Sequence, residues 1–346
     1  MLDWRLKMEG SINSHYIPQL LLRHFCKEGK LNYHNIHTNK TEERSTKSVF
    51  SKTDYYPAQL EKDLSSKIEA QFANVLNKKI LNGKNRISLT ADDLLIIKKY
   101  QIITMIRVKD DNLEHNAWYR ALKKNGCILQ EDPFKDFFKG DFFDNLNKVL
   151  SCKSQEELVK IITHPENLNL YTFVKNAVYS YMVFVKTNNC KEDFIIPDRG
   201  WAEYCGPLSI KKINAMLDML EKAYDPYIAI LVQMSTPQDY AVFPLSNDMA
   251  LLAVSPAFKA LRTGTRYNVI YPPDQPTLSS CLGFGTSKTF APPDNRFHKN
   301  GTKEYIYNIH QISKYDVKFI NSLFLNNCEE YYGYADYNKI RFSVED

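Results

Sequence analysis

The sequence predicts an α+β fold, mainly helical, with a small mixed or antiparallel sheet in the C-terminal half. Three observations carry that reading. Residues 60–80 place an apolar side chain at every fourth position (Leu60, Leu64, Ile68, Phe72, Leu76, Ile80), which marks a packed helical stripe. A second long helical stretch begins after Thr90. From 193 to 256 the texture changes to short apolar runs separated by Pro, Ser, Asn and Asp, as in strands joined by turns.

The elements come in this order. Pro18 suits the first turn of a short helix carrying Leu21, Leu22 and Phe25, entered through an extended His15-Tyr16-Ile17. Gly29 marks a turn, and the alternation in LNYHNIHT predicts a strand. The polar stretch 38–54 is a loop, or part of a hairpin ending at Val49-Phe50. Beside the stripe, Glu61, Ser65 and Glu69 form a parallel row four residues apart. Thr90 is the expected N-cap of a helix running to Lys124, with Asp93 in the place where a capping box prefers Glu or Gln. Residues 131–150 read as a short amphipathic helix. Ser154 and Glu157 form a capping box for the next helix, which His164-Pro165 ends.

Residues 168–186 read as a buried Tyr/Val-rich helix, although β-branching allows a strand. A buried strand into a turn is expected at EDFIIPDRGW, a helix over 209–224, and strands at YIAILVQ, DYAVFPLS and DMALLAVS. Residues 272–303 are expected to be a loop. A last helix carries Val317, Ile320, Leu323 and Phe324. The whole reads as one unit over 1–346, with a helical part at 14–186 and a sheet-containing part at 187–346.

Composition bounds the function classes. The chain has 346 residues, 44% hydrophobic and 25% charged, which is ordinary for a globular protein. A net charge of +5 without a clustered basic stripe permits acidic partners and argues for none in particular. The seven Cys are widely spaced with no CxxC, so they read as reduced thiols rather than zinc ligands or a redox pair. The opening residues lack an apolar signal core, and no apolar run is long enough for a membrane span. The expectation is a soluble, intracellular, bacterial-type protein of the cytoplasm. Patterns for HExxH, Walker A, GxGxxG, EF-hand and GxSxG sites are missing.

The segment His15-Tyr16-Ile17-Pro18-Gln19, then Leu22-Arg23 and Phe25, resembles the opening motif of the domain of unknown function 4238 family. The later motifs are similar in their order as well: Leu60-Glu61, Ile68-Glu69, a helix bearing Arg107, then Phe194 to Asp198 and Phe243-Pro244-Leu245-Ser246. The sequence departs from the family at Ile196-Pro197, which stand for Thr-Ser, at Gly200-Trp201, which stand in place of a Pro, and at Thr104, which stands for a Gln. The resemblance implies no activity by itself.

A His with several carboxylates is the composition of a hydrolytic site, as in many nucleases. On that reading His15, Glu69 and Asp198 are the catalytic candidates, with Glu61 as a further carboxylate. Arg23, Arg107 and Arg199 would bind substrate phosphate. Such a site would accept a divalent metal. The expected function is a nuclease or phosphodiesterase acting on nucleic acid in a defence or stress setting. Three plainer readings stand beside it: His15 as a helix cap, Arg23 and Glu69 as a buried ion pair, and Ser246 as a turn residue. The alternative function is a non-enzymatic interaction protein whose protein partner meets Phe134, Phe137, Phe138, Phe142, Phe143, Tyr331, Tyr332, Tyr334 and Tyr337. His34 and His37 with Cys26 do not make a zinc site, because a strand turns neighbouring positions apart.

Overall fold

The computed structural model describes residues 13–107, 142–163, 180–187, 192–204, 240–254, 294–297 and 303–345, with a few positions between 170 and 178. The expected helix over 209–224, the strand at YIAILVQ, the helix beyond Arg107 and the Phe-rich 131–141 lie outside these residues.

Helix and sheet alternate along the chain. Strand β1 (Asn13–His15) leads to the short helix α1 (Gln19–Leu22), which tightens into a 3-10 turn over Arg23–Phe25. Strands β2 (Lys30–Asn35), β3 (Lys40–Ser45) and β4 (Ser51–Thr53) come next. Helix α2 covers residues 58–80, built from Ala58–Leu64, Ser65–Glu69, Ala70–Val75 and Leu76–Ile80. Then come β5 (Arg86–Thr90), α3 (Ala91–Arg107), α4 (Phe142–Ser151), α5 (Gln155–Thr163), β6 (Tyr181–Thr187), β7 (Ile196–Pro197), β8 (Ala202–Tyr204), β9 (Tyr240–Ser246) and β10 (Met249–Val254). Strands β11 (Asp294–Phe297) and β12 (Lys303–Ile312), helix α6 (Lys314–Asn326), β13 (Tyr331–Tyr334) and α7 (Arg341–Val344) complete the described chain.

The expectation of a mainly helical protein with one small C-terminal sheet is overturned. The strands form three sheets, and N-terminal strands take part in all of them. A two-stranded ribbon joins β1 to β4. A four-stranded sheet has the order β3-β2-β13-β7. A seven-stranded sheet runs β11-β12-β6-β10-β9-β8, with β5 pairing β12. The physical reason is long-range pairing. β2 finds β13 across nearly the whole chain, with Tyr33 opposite Gly333, and β5 finds β12, with Ile87 opposite Tyr307. No local pattern announces such partners. The Tyr/Val-rich 168–186 stretch also resolves partly the other way: residues 181–187 are the strand β6, paired antiparallel with β10 and parallel with β12. β-Branched residues suit a pleated, doubly covered surface. β9 and β10 are buried at every position, which is why they read as continuous apolar runs.

Helix α2 shows how the four-residue stripe is kept. In an α-helix a step of four residues overshoots one turn by about 40°, so five steps would drift by about 200°. Yet Leu60, Leu64, Ile68, Phe72, Leu76 and Ile80 are all buried. The helix widens into π turns at Ser65–Glu69 and at Leu76–Ile80. Each wide turn takes up about one extra residue, and two of them restore roughly five whole turns over the stripe.

The expected caps form. Thr90 and Asp93 cap α3 reciprocally: Asp93 N–H donates to Thr90 Oγ1 at 3.3 Å, and Thr90 N–H to Asp93 Oδ2 at 2.7 Å. Ser154 accepts from Glu157 N–H at 3.2 Å to start α5, while the Glu157 carboxylate accepts from Lys153 N–H at 2.7 Å instead of closing the box on Ser154. A further box, not anticipated from the sequence, joins Ser313 and Asp316 at the start of α6. α3 then packs on α2 through parallel rings of Phe72 and Tyr100, 3.6 Å between centroids. Its other side carries two adjacent buried lysines. Lys99 donates to the carbonyls of Leu150 and Cys152 (2.8 and 2.9 Å), closing the C-terminus of α4. Lys98 donates to the carbonyls of Ala177 and Val178 at 2.7 and 3.0 Å.

Burial pushes the Lys98 ammonium down to about 8 from its ordinary 10.5. Between those values the unfolded chain binds the extra proton, so this residue adds stability as pH rises through 8 to 10.5. The wild type should therefore gain on Lys98→Met over that window by up to about 1.4 kcal/mol per pH unit. Urea unfolding of both proteins at several pH values checks it, and parallel curves would contradict it.

Candidate functional site

The polar residues singled out in the sequence separate into three places. The first is a cluster at the end of α3. Arg107 is almost fully buried. Its Nη1 donates to Glu69 Oε1 on the first π turn of α2, and its Nη2 donates to the His15 carbonyl of β1. Its guanidinium carbon lies 5.6 Å from the centroid of the Tyr56 ring, whose hydroxyl donates to the Arg107 carbonyl at 2.8 Å. Burial would strip the guanidinium of its charge, but Glu69, Tyr56 and Glu61 hold it protonated. The ion-pair partner of Glu69 is thus Arg107, not Arg23, which is exposed on the 3-10 turn after α1.

The π turn matters here too. Glu61 and Glu69 are eight residues apart, which an α-helix would turn about 80° out of line. With one residue absorbed by the wide turn the offset falls to about 20°. Both carboxylates accordingly act on Arg107. Burial raises the Glu61 carboxyl above its ordinary value, with Arg107 opposing, Glu69 adding to the rise, and the His15 backbone opposing.

His15 completes the cluster. Its ring is buried, with Nδ1 3.5 Å from Gln19 Nε2. Burial lowers its pKa, while the Thr46 and Lys47 backbone and the Glu69 charge work the other way and Arg107 adds to the lowering. Among the described residues neither His15 Nε2 nor Glu61 Oε2 makes a hydrogen bond, and Arg107 Nε is likewise unpartnered. Unpaired buried polar atoms are uncommon and ask for a reason.

The second place is the turn after β7. Asp198 accepts from three successive backbone N–H groups, those of Glu329, Glu330 and Tyr331, at 2.7–3.2 Å. Arg199 pairs with Glu329 at 2.7 Å. The carboxylate is consumed in holding the approach to β13, so the geometry makes Asp198 and Arg199 a clamp between two strands. Gly200, at φ +72°, lets the turn close over the β1–α1 segment and α3: a Cβ there would sit 2.8 Å from Ile17 Cδ1 and 3.1 Å from Thr104 Cγ2. Arg23 stands in the third place, apart from both.

Other expectations resolve simply. Ser246 Oγ donates to Asp248 at 2.6 Å in the β9–β10 turn. His34 meets Thr41 and His37 meets the Glu329 carbonyl, so each imidazole has its own partner. Cys26, Cys152 and Cys328 are free thiols. Tyr332 and Tyr334 are buried, and Tyr331 is half-buried against Tyr33, which leaves only Tyr337 of the tail aromatics exposed. Phe143 is half-buried on the core, and Phe134, Phe137, Phe138 and the Phe142 side chain lie outside the described residues. Among the described residues no group of three or more His, Cys, Asp or Glu is placed to hold a metal ion. No helix among them is long and apolar enough to cross a membrane.

Sequence reasoning missed Tyr56, which ties the α2 entry to the end of α3, and Gln101, fully buried on α3 with neither amide atom paired. A polar side chain at an inward position of an apolar helix was the available signal for Gln101.

Among known proteins, the model of a family described as "Protein of unknown function (DUF4238)" matches residues 13–334, nearly the whole chain. No curated protein and no solved structure matches.

The cluster has a stability signature. Glu69→Gln leaves the buried Arg107 charge without its carboxylate and should cost about 3–5 kcal/mol. Arg107→Met in the same chain should recover a large part of that. Denaturant unfolding of the single and double variants measures both, and a Glu69→Gln protein as stable as the wild type would show that the pair does not hold α2 to α3.

Proposed function

We propose, for a chain that belongs to the DUF4238 family, that the Arg107 cluster is a hydrolytic site acting on phosphodiester bonds of nucleic acid. The family description assigns no activity, so the reading rests on the site. The observation that carries it is the pair of buried, unpartnered atoms, His15 Nε2 and Glu61 Oε2, beside one charged guanidinium.

Burial favours the neutral imidazole. With the Gln19 amide turned so that its oxygen accepts from Nδ1–H, the ring hydrogen sits on Nδ1 and Nε2 can take a proton from an attacking water. Burial also favours the protonated Glu61 carboxyl, which can deliver a proton to the leaving oxygen. Arg107 supplies a fixed positive charge near both, with one N–H still unpaired. Glu69 has a positioning part, since it holds Arg107. Asp198 and Arg199 hold the approach to β13, and Arg23 is exposed on its 3-10 turn. No step is routed through a metal ion.

The assay is cleavage of DNA, RNA and cyclic nucleotides by the wild type, His15→Ala and Glu61→Gln, each checked for folding by circular dichroism. Both variants should stay folded and lose about 10²–10⁴-fold in rate. The wild-type profile should be bell-shaped. Activity falls on the acid side as His15 becomes protonated, below its ordinary 6.5, and on the alkaline side as Glu61 ionises, above its ordinary 4.5. Absence of cleavage, or equal rates in folded variants, would transfer the function to non-enzymatic partner binding.

A further inference from the structure

A row of four tyrosines leads from the ends of the ribbon that carries His15 onto the four-stranded sheet: Tyr16 and Tyr55 follow β1 and β4, and Tyr33 and Tyr331 lie on β2 and β13. Tyr55 and Tyr16 meet edge to face at 6.3 Å, Tyr16 and Tyr33 both meet the Phe50 ring edge to face at 6.2 and 5.0 Å, and Tyr331 lies flat on Tyr33 at 4.3 Å and 9°. Tyr33 is buried, whereas Tyr16, Tyr55 and Tyr331 keep part of their surface in solvent. Each half-exposed ring is next in sequence to a residue of the polar architecture or held by one. Tyr16 follows His15, Tyr55 precedes Tyr56, and the Tyr331 N–H is held by Asp198.

The cations along this row differ in their commitments. Lys30 and Arg44 of the β2–β3 hairpin are taken up by Glu43 and Glu42. Lys47 and Lys52 are exposed, and neither has a carboxylate partner among the described residues. The Lys52 ammonium sits 5.7 Å from the Tyr16 ring centroid and 5.3 Å from that of Tyr55. Lys52 is paired opposite Ser14, one residue from His15, and the Lys47 backbone approaches the His15 ring. Half-exposed aromatic faces interleaved with uncommitted lysines are the chemistry that takes unpaired bases by stacking and their phosphates by charge. A duplex hides its base faces and could use the lysines alone.

We propose that this tyrosine–lysine row binds single-stranded nucleic acid, with bases on Tyr16, Tyr55 and Tyr331 and backbone phosphates on Lys47 and Lys52, and so delivers the strand to the His15 side of the ribbon. The proposal rests on the nucleic-acid reading above and narrows it to one strand form. Binding alone can be measured apart from cleavage.

The test uses the His15→Ala protein, so that bound strands stay intact, and fluorescence anisotropy with labelled oligothymidylate, oligouridylate and a duplex of equal length. Single strands should bind more tightly than the duplex. Tyr55→Ala and Tyr331→Ala should each weaken single-strand binding about ten-fold or more, while Tyr55→Phe and Tyr331→Phe keep it. Lys47→Gln and Lys52→Gln should each lower the slope of log affinity against log salt by about 0.7. Tyr315→Ala, at an exposed ring on α6, should change nothing. Equal binding of duplex and single strand, Ala variants that bind like their parent, or no binding at all would overturn the proposal. Cleavage by the wild type without single-strand preference would overturn it and leave the hydrolytic reading standing. Tight single-strand binding without cleavage would do the reverse.

Discussion

A guanidinium taken out of water has to be matched by carboxylate and carbonyl groups placed around it, and Arg107 imposes that requirement on three elements at once. Its two outer nitrogens reach Glu69 on α2 and the His15 carbonyl on β1, and its own carbonyl is held by Tyr56 at the entrance to α2. Breaking such a buried pair is costly because the remaining charge stays desolvated. The path of β1, the pitch of α2 and the end of α3 are therefore coupled through one side chain. The ribbon that carries His15, and Tyr16 beyond its end, inherits its position from that coupling.

The pitch of α2 answers to a second demand. Its apolar stripe is spaced by four, and a regular α-helix would carry that stripe half-way round its axis. The two π turns keep the stripe inward, and the first of them also brings Glu61 and Glu69 onto one side. Core packing and the polar site thus share a single backbone adjustment. π turns are uncommon and often accompany functional sites. Here the packing pattern alone suffices to require them, and the site makes use of what packing imposes.

Local chemistry was legible from the sequence, and distant partnership was not. The caps at Thr90 and Ser154 come from residues three apart, and the strict fourfold spacing of α2 already contained the widened turns for a reader who compared four with 3.6. The family was legible in the motif order, and its model matches residues 13–334. The hidden features were pairings without a local mark: β2 with β13, β5 with β12, and Glu69 with Arg107 rather than Arg23. These pairings turned an expected helical protein with one small sheet into three sheets. A β partner is chosen by the geometry of the whole chain, and a carboxylate near two arginines in sequence order carries no sign of which it will meet.

Hydrogen-bond satisfaction separates the two acidic sites that the sequence treated alike. Asp198 and Glu61 are both carboxylates in largely buried surroundings, and burial pushes both pKa values upward. Asp198 spends its oxygens on three consecutive backbone N–H groups, an arrangement complete in itself that fixes the approach to β13. Glu61 keeps an oxygen without a partner, and so does the His15 ring keep a nitrogen. A folded chain gains nothing from leaving such atoms unpaired, because each costs about 1–3 kcal/mol when buried. Unspent hydrogen-bonding capacity held beside a fixed charge is what a substrate or a water can use. That difference, rather than acidity or burial, is the ground for placing the chemistry at His15 and Glu61 and the scaffolding at Asp198.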